Sequence, residues 1–234
     1  MTAPDMLIYC ADIGSVRNPR KSKFGWVGLN ARTGKRIGEG DMPDQMARSI
    51  SQHLEHHPVS LGFECPLWIP IPDNQAELGT ARPDETGVGI RSRPWSGGAG
   101  PAVLATGIAQ STYILRSIKR AAKANLHVKV LSQDRAEEWR ACSAPSTLYL
   151  WEAFVSFGEN ASDRSAQTHI EDAKSGAHQA QKLYKGKEPL PGETQPAEGT
   201  TCLSLIGVAA LYAGLLDELS CLMAPPLVIH AQKS

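Results

Sequence analysis

The chain has 234 residues, 41% of them hydrophobic and 21% charged, and its formal net charge at pH 7 is zero. This composition is typical of a globular protein with a sizeable core, and the neutral charge argues against the strong overall attraction that many nucleic-acid-binding proteins have for their ligands. The five cysteines are widely spaced and form no C-x-x-C pair, so the sequence contains neither a zinc knuckle nor an evident disulfide framework. We therefore expect free thiols in a reducing compartment, the cytoplasm.

Two apolar stretches bear on targeting. The first follows Asp5 and is closed by Asp12, so it lacks the basic start and the uninterrupted apolar centre of a signal peptide. The second, from Cys202 to Leu216, is shorter than the roughly 20 residues that a membrane span needs. We expect a protein without a membrane segment.

The predicted elements begin with three antiparallel strands. Residues 6–12, 24–31 and 35–39 have strand-like patterns, and the turn Arg32-Thr33-Gly34 joins the last two as a hairpin. A helix is predicted from Asp41 to His57, with a proline in its first turn, and a short strand from Val59 to Glu64 follows.

Residues 65–100 contain five prolines and six glycines with little periodicity, which predicts a long loop inserted into the fold. The elements predicted after it are a helix at 101–123, a strand at 126–131, a short helix at 134–142, a strand at 147–154, a helix at 165–184, a flexible loop at 186–199, an apolar helix at 203–223 and a strand at 227–230. This order predicts an α/β fold whose mixed sheet has an antiparallel hairpin edge and parallel strands. We expect a single domain, 1–234, with residues 200–234 as a C-terminal extension.

Three acids lie in or at the end of predicted strands. Asp12 and Glu64 each end an apolar run, and Glu152 lies within another. Burying a carboxylate without a partner is costly, so each should face a cation or a basic group. For Glu152 the alternative is a structural ion pair with Arg116 or Arg120.

A fourth acid lies on the predicted helix at 165–184. At about 100° per residue, His169, Asp172 and Gly176 run along one flank of the apolar stripe, whereas Glu171 points nearly the opposite way. Asp172, and not Glu171, is therefore predicted to reach a site beside the sheet. Gly176 would allow this helix to approach the sheet closely.

These motifs together resemble a known superfamily. The D-x-G of Asp12 to Gly14 before a hairpin, the acid and proline of Glu64 to Pro66, and the late D-A-x-x-x-A of Asp172 to Ala177 are similar to the ribonuclease H-like superfamily. Within it the chain most resembles the bacterial predicted nucleases and, more distantly, RuvC-like Holliday-junction resolvases, over residues 6–183.

The resemblance implies a divalent-metal-dependent phosphodiester hydrolase. Asp12, Glu64 and Asp172 would be metal ligands and catalytic residues that bind two Mg²⁺ or Mn²⁺ ions, with Asp12 as the bridging ligand. Glu152 resembles a glutamate that precedes the last helix in the predicted-nuclease branch, and would be a fourth ligand or support one. His169 would be a proton shuttle, or simply a structural histidine.

Two cationic segments are candidates for substrate binding. Arg91, Arg93 and Trp95 in the long loop would form a flap that grips phosphate and stacks on a base, although a structural loop packed by its tryptophans explains them equally well. Lys21 and Lys23 lie in a stretch, 13–38, that has seven basic and no acidic residues; a solvated hairpin is the alternative.

Two other functions fit the same motifs. The Asp12 to Ser15 turn also resembles the first phosphate loop of actin-like ATPases and sugar kinases, but those proteins need two copies of the domain, and we find no second D-x-G hairpin. A non-catalytic ribonuclease H-like module that binds protein or nucleic acid is the other alternative. RNA, DNA, a branched junction or a nucleotide all remain open as substrates, as does the oligomeric state.

Overall fold

The computed structural model describes residues 3–16, 22–85, 95–123, 125–156, 166–191, 199–223 and 225–232. The strands are β1 (Leu7–Asp12), β2 (Gly25–Asn30), β3 (Arg36–Gly40), β4 (Val59–Glu64), β5 (Trp68–Pro72), β6 (His127–Val130), β7 (Thr147–Ser156), β8 (Thr200–Ser204) and β9 (Val228–Gln232). The α-helices are α1 (Pro43–Leu54), α2 (Gly100–Ala121), α3 (Ala136–Ala141), α4 (Ala166–Tyr184) and α5 (Leu205–Tyr212).

Seven strands form one central sheet in the order β3-β2-β1-β4-β7-β6, and β9 also pairs with β7. The β1–β2 and β2–β3 pairs are antiparallel, whereas β1–β4, β4–β7, β6–β7 and β7–β9 are parallel. Parallel neighbours need crossover connections, which the helices between these strands supply. The predicted α/β fold with a mixed sheet is confirmed.

Alternation along the strands divides the core between the two faces of the sheet. On one face, β1 and β4 contribute Tyr9 and Leu61 to a cluster that also contains residues of α1, α2 and α5. On the other face, Ile8 and Cys10 pack with Ala173 and the other small apolar residues of α4. Two buried layers of helix therefore cover the sheet, and a polar side chain on a strand belongs to one layer or the other.

A second, two-stranded sheet lies in segments for which the sequence predicted something else. Antiparallel β5 and β8 pair Trp68 with Ser204, so a strand lies within the predicted loop at 65–100. The helix predicted at 203–223 is confirmed only for Leu205–Tyr212, because the segment begins within β8. The Ser204 hydroxyl caps this helix, α5, and accepts the N–H of Gly207. Tertiary pairing with β5 thus overrides the local apolar pattern.

The prolines of β5 explain why its sequence does not look like a strand. Pro70 and Pro72 alternate with Ile69 and Ile71 along the strand. The backbone hydrogen bonds from Leu205 N–H to Leu67 O and from Asp73 N–H to Gly199 O show that the odd-numbered residues of this segment pair with β8. The prolines, which lack an N–H, therefore face the open side of an edge strand, where no donor is needed.

Among the described residues, none of the helices combines the length with the apolar character that a transmembrane span requires.

Two glycines allow α4 to lie unusually close to the sheet. A Cβ on Gly25 in β2 would lie 2.4 Å from both the carbonyl carbon of His169 and the nitrogen of Ile170. A Cβ on Gly176 in α4 would lie 2.7 Å from Sγ of Cys10. The first contact is with backbone and the second is with a side chain. The close approach at Gly176 agrees with the prediction from the sequence.

The difference between these two contacts is testable by urea unfolding. Gly25→Ala should lower the free energy of unfolding by about 1–3 kcal/mol or more, because overpacking against backbone can be relieved only by moving α4. Gly176→Ala should be destabilising in the wild-type background and stabilising in a Cys10→Ala background, where the clash is gone and alanine favours the helix. An unchanged stability in Gly25→Ala would show that α4 does not pack this closely.

Candidate metal centre

Asp12 and Glu64 are neighbours at the carboxyl ends of adjacent parallel strands. The β1–β4 register pairs them directly, so both side chains leave the sheet on the face that α4 covers. Asp12 is 5% exposed, whereas Glu64 is half-buried. The β1–β2 register places Gly25 on the other side of Asp12, at the point where α4 approaches.

The first turns of α4 bring two more polar side chains to Asp12. His169 is 4% exposed and Asp172 is fully buried. One ligand atom from each of Asp12, His169 and Asp172 can be chosen so that all three atoms lie within 4.8 Å of one another. Two ligands on opposite sides of a first-row divalent cation are about 4.2 Å apart, so the three side chains fit one ion with little adjustment.

The hydrogen bond within this cluster orients the imidazole. Nδ1 of His169 lies within hydrogen-bonding distance of Oδ2 of Asp12. Because an ionised carboxylate only accepts, Nδ1 carries the proton and Nε2 carries the lone pair. Among the described residues Nε2 of His169, which is buried, has no hydrogen-bond partner. His169 can therefore accept a proton or contribute a nitrogen ligand.

The field around the cluster is negative. Burial raises the pKa of the Cys10 thiol well above its usual value, and the charges of Glu64 and Asp12 raise it further. Cys10 consequently stays a neutral thiol, and thiolates are the soft ligands of metal sites. The donors that remain are carboxylate oxygens and one imidazole nitrogen, which suit a hard or borderline divalent cation.

Glu152 does not join this centre. The β4–β7 register pairs it with Phe63, the neighbour of Glu64, so it leaves the sheet on the opposite face. Its carboxylate accepts bonds from Nη1 and Nη2 of Arg82, at 2.9 and 2.7 Å, and from the backbone N–H of Leu67, at 2.8 Å. The placement favours the structural alternative, with Arg82 and not Arg116 or Arg120 as the partner.

Arg82 is the centre of a fully buried ionic cluster. Its Nε donates to Glu85 at 3.1 Å, and its guanidinium carbon lies 5.3 Å from the centroid of the Trp68 ring. Arg82, Glu85 and Glu152 are all 0% exposed. The cluster ties residues 67–85 to the middle of β7. No local pattern in the sequence could have indicated it, since Arg82 and Glu152 lie 70 positions apart.

The loop after Asp12 is fastened to α2. The side-chain amide of Gln110 accepts the N–H of Gly14 at 3.3 Å and donates to its carbonyl oxygen at 2.6 Å. Gly14 cannot carry a side chain, because a Cβ there would lie 1.8 Å from the carbonyl oxygen of Lys23. These contacts position the chain two residues beyond Asp12, and no signal in the sequence indicated Gln110.

The predicted substrate-binding residues are only partly described. Arg91, Arg93 and Lys21 lie outside the described residues. Lys23 is exposed, and its backbone N–H donates to the carbonyl of Ser15. Trp95 donates from Nε1 to the carbonyl oxygen of Thr80 at 3.0 Å, which favours a packing role for this tryptophan.

Comparison with protein-family models, with curated proteins and with solved structures found no match to this chain.

The cluster around Arg82 and the cluster around Asp12 should respond differently when one carboxylate is neutralised. Glu152→Gln should lower the free energy of unfolding by roughly 3 kcal/mol, because it leaves Arg82 buried with less compensating charge, and should leave divalent-metal affinity nearly unchanged. Asp12→Asn should do the reverse: it should abolish metal binding while the fold stays as stable, or becomes more so. Urea titration and calorimetry with Mn²⁺ measure the two effects. Loss of metal binding in a folded Glu152→Gln protein would contradict the assignment of Glu152 to the other face.

Proposed function

We propose that the protein is a divalent-metal-dependent phosphodiester hydrolase whose centre consists of Asp12, His169 and Asp172. The observation that carries the proposal is the convergence of three buried ligands, from β1 and from two positions of α4, within 4.8 Å. Two ionised carboxylates held at such a short distance in a buried site repel each other, and a shared cation removes the repulsion.

The residues have complementary tasks in this reaction. Asp12 and Asp172 would hold the cation, and Asp12 also orients the imidazole of His169. Nε2 of His169 would be the nitrogen ligand, because Nδ1 is bonded to Asp12. Glu64, half-buried beside Asp12 at the end of β4, supports the binding of a second cation at the edge of the centre. The chemistry that divalent cations supply in such centres is water activation and neutralisation of charge on the phosphate oxygens.

The imidazole bears on which cation binds. Mg²⁺ is bound chiefly by oxygen, whereas Mn²⁺ and later first-row ions accept nitrogen and bind mixed sites more tightly. The sequence resemblance implies three carboxylate ligands, which suit either Mg²⁺ or Mn²⁺. With His169 in the cluster, we propose that Mn²⁺ binds more tightly than Mg²⁺.

Neighbouring acids on α4 provide a matched test. Asp172 is buried in the cluster, whereas Glu171 lies at the surface, where Lys174 donates to it at 3.1 Å. Asp172→Asn should weaken Mn²⁺ binding at least ~10-fold and abolish Mn²⁺-dependent cleavage of a fluorescent panel of RNA, DNA and junction substrates. Glu171→Gln removes the same charge one residue away and should leave both nearly intact.

Calorimetry with Mn²⁺ and Mg²⁺, followed by the cleavage panel, separates the parts of the proposal. Equal effects of the two substitutions would mean that general electrostatics, and not ligation, accounts for the loss. Tight Mn²⁺ binding with no cleavage of any substrate would reject the hydrolase and leave a metal-binding module.

A further inference from the structure

A cationic and aromatic surface lies on the side of the sheet away from the metal centre. It consists of Tyr113, Arg116 and Arg120 on α2 and Tyr212 at the end of α5, and we refer to it as the α2–α5 surface. Both helices pack in the core layer opposite α4. Tyr113 is 51% exposed and Tyr212 is 70% exposed. Both rings are therefore accessible to a ligand.

Contacts within the surface hold the rings in place. The guanidinium carbon of Arg116 lies 5.5 Å from the centroid of the Tyr212 ring, on one face of it. With 70% of Tyr212 exposed, its other face is open to solvent. The hydroxyl of Tyr113 donates to Asp44 at 2.7 Å, which leaves the ring itself exposed.

The arginines are available for an anion. Residues 113, 116 and 120 are separated by three and four positions, so they lie on one side of α2 and the two arginines are one helical turn apart. In the part of the chain that the structure describes, neither arginine forms an ion pair with a carboxylate. Lys123, by contrast, is paired with Glu55 at 3.0 Å.

The surface begins near the loop that leaves the metal centre. Gln110, which binds both polar groups of Gly14, precedes Tyr113 by one turn of α2. From Gln110 to Arg120 the helix rises about 15 Å. A chain that passes the carboxyl edge of the sheet can therefore continue along α2 without crossing the core.

We propose that the α2–α5 surface binds single-stranded nucleic acid. Bases stack on the open faces of Tyr212 and Tyr113, and successive phosphates pair with Arg116 and Arg120. This combination of stacking platforms and cations is typical of sites for single strands, because the bases of a duplex do not expose their faces. Binding here needs no metal, so the proposal is independent of the hydrolase.

Fluorescence anisotropy in EDTA, with a labelled 20-residue oligothymidylate and a duplex of equal length, tests the proposal. We expect the wild-type protein to prefer the single strand. Tyr212→Ala should weaken that binding roughly 5-fold or more, whereas Tyr212→Phe, which retains the ring, should restore it. Arg116→Gln and Arg120→Gln should each reduce the slope of log affinity against log salt by about 0.7.

Two control variants separate this surface from the rest of the molecule. Arg135→Gln removes an exposed arginine beside α3, whose Trp139 packs in the α4 layer, and should change neither affinity nor salt slope. Glu171→Gln, at the surface of α4 and outside the metal centre, should bind the oligonucleotide like the wild type. Photocrosslinking of an iodouracil-containing oligonucleotide should label peptides that contain Tyr113 or Tyr212.

Other outcomes would overturn the proposal. The first is that the wild-type protein does not bind the oligonucleotide, and the second is that Tyr212→Ala binds it with unchanged affinity. The third is that the protein binds the duplex as tightly as the single strand and that the tyrosine substitutions have no effect, which would indicate nonspecific attraction of polyanions. Flotation with phosphatidylserine vesicles, in the absence of oligonucleotide binding, would assign the surface to membranes instead.

Discussion

The close approach of α4 to β1 and β2 is the constraint on which the centre depends. Gly25 leaves room for the backbone at His169 and Ile170, and Gly176 leaves room for the sulfur of Cys10. Because the helix lies so near, its first turns place an imidazole and a carboxylate against Asp12 and bury all three side chains. Any substitution that moves α4 outwards would separate these three side chains and expose them to solvent, even if none of the three were changed.

The two buried ionic clusters differ in charge composition, and this difference separates their roles. On one face, Arg82 is bonded to Glu85 and Glu152 with near-ideal distances, so each carboxylate has a fixed protein cation. On the other face, the ionisable groups of the ligand cluster are two aspartates and one histidine. A buried ion pair satisfied by protein groups mainly fastens segments together, whereas a cluster rich in carboxylates has its charge balanced best by a cation from solution.

The same sheet positions both clusters through strand alternation. Glu64 and Glu152 lie on neighbouring strands, yet the register offsets them by one residue and they point to opposite faces. The face of Glu64 contains the proposed hydrolytic centre, and the face of Glu152 contains the core below α2 and α5. The proposed binding surface is the solvent-exposed side of the α2 and α5 layer. Both proposed activities therefore depend on one sheet, and the loop that Gln110 binds connects the two regions.

The sequence by itself determined much of this, where the pattern is local. Apolar strand runs predicted the mixed sheet, and the 3.6-residue period of α4 placed Asp172 inwards and Glu171 outwards, as the structure shows. Tertiary structure alone decided which face each strand acid occupies, because strands such as β1 and β4 are buried on both faces and their sequences lack the alternation of apolar and polar residues that would set the face. It also decided the β5–β8 pairing, the partner of Glu152 and the contact between His169 and Asp12, since each joins residues far apart in the chain whose energies exist only once the layers have packed.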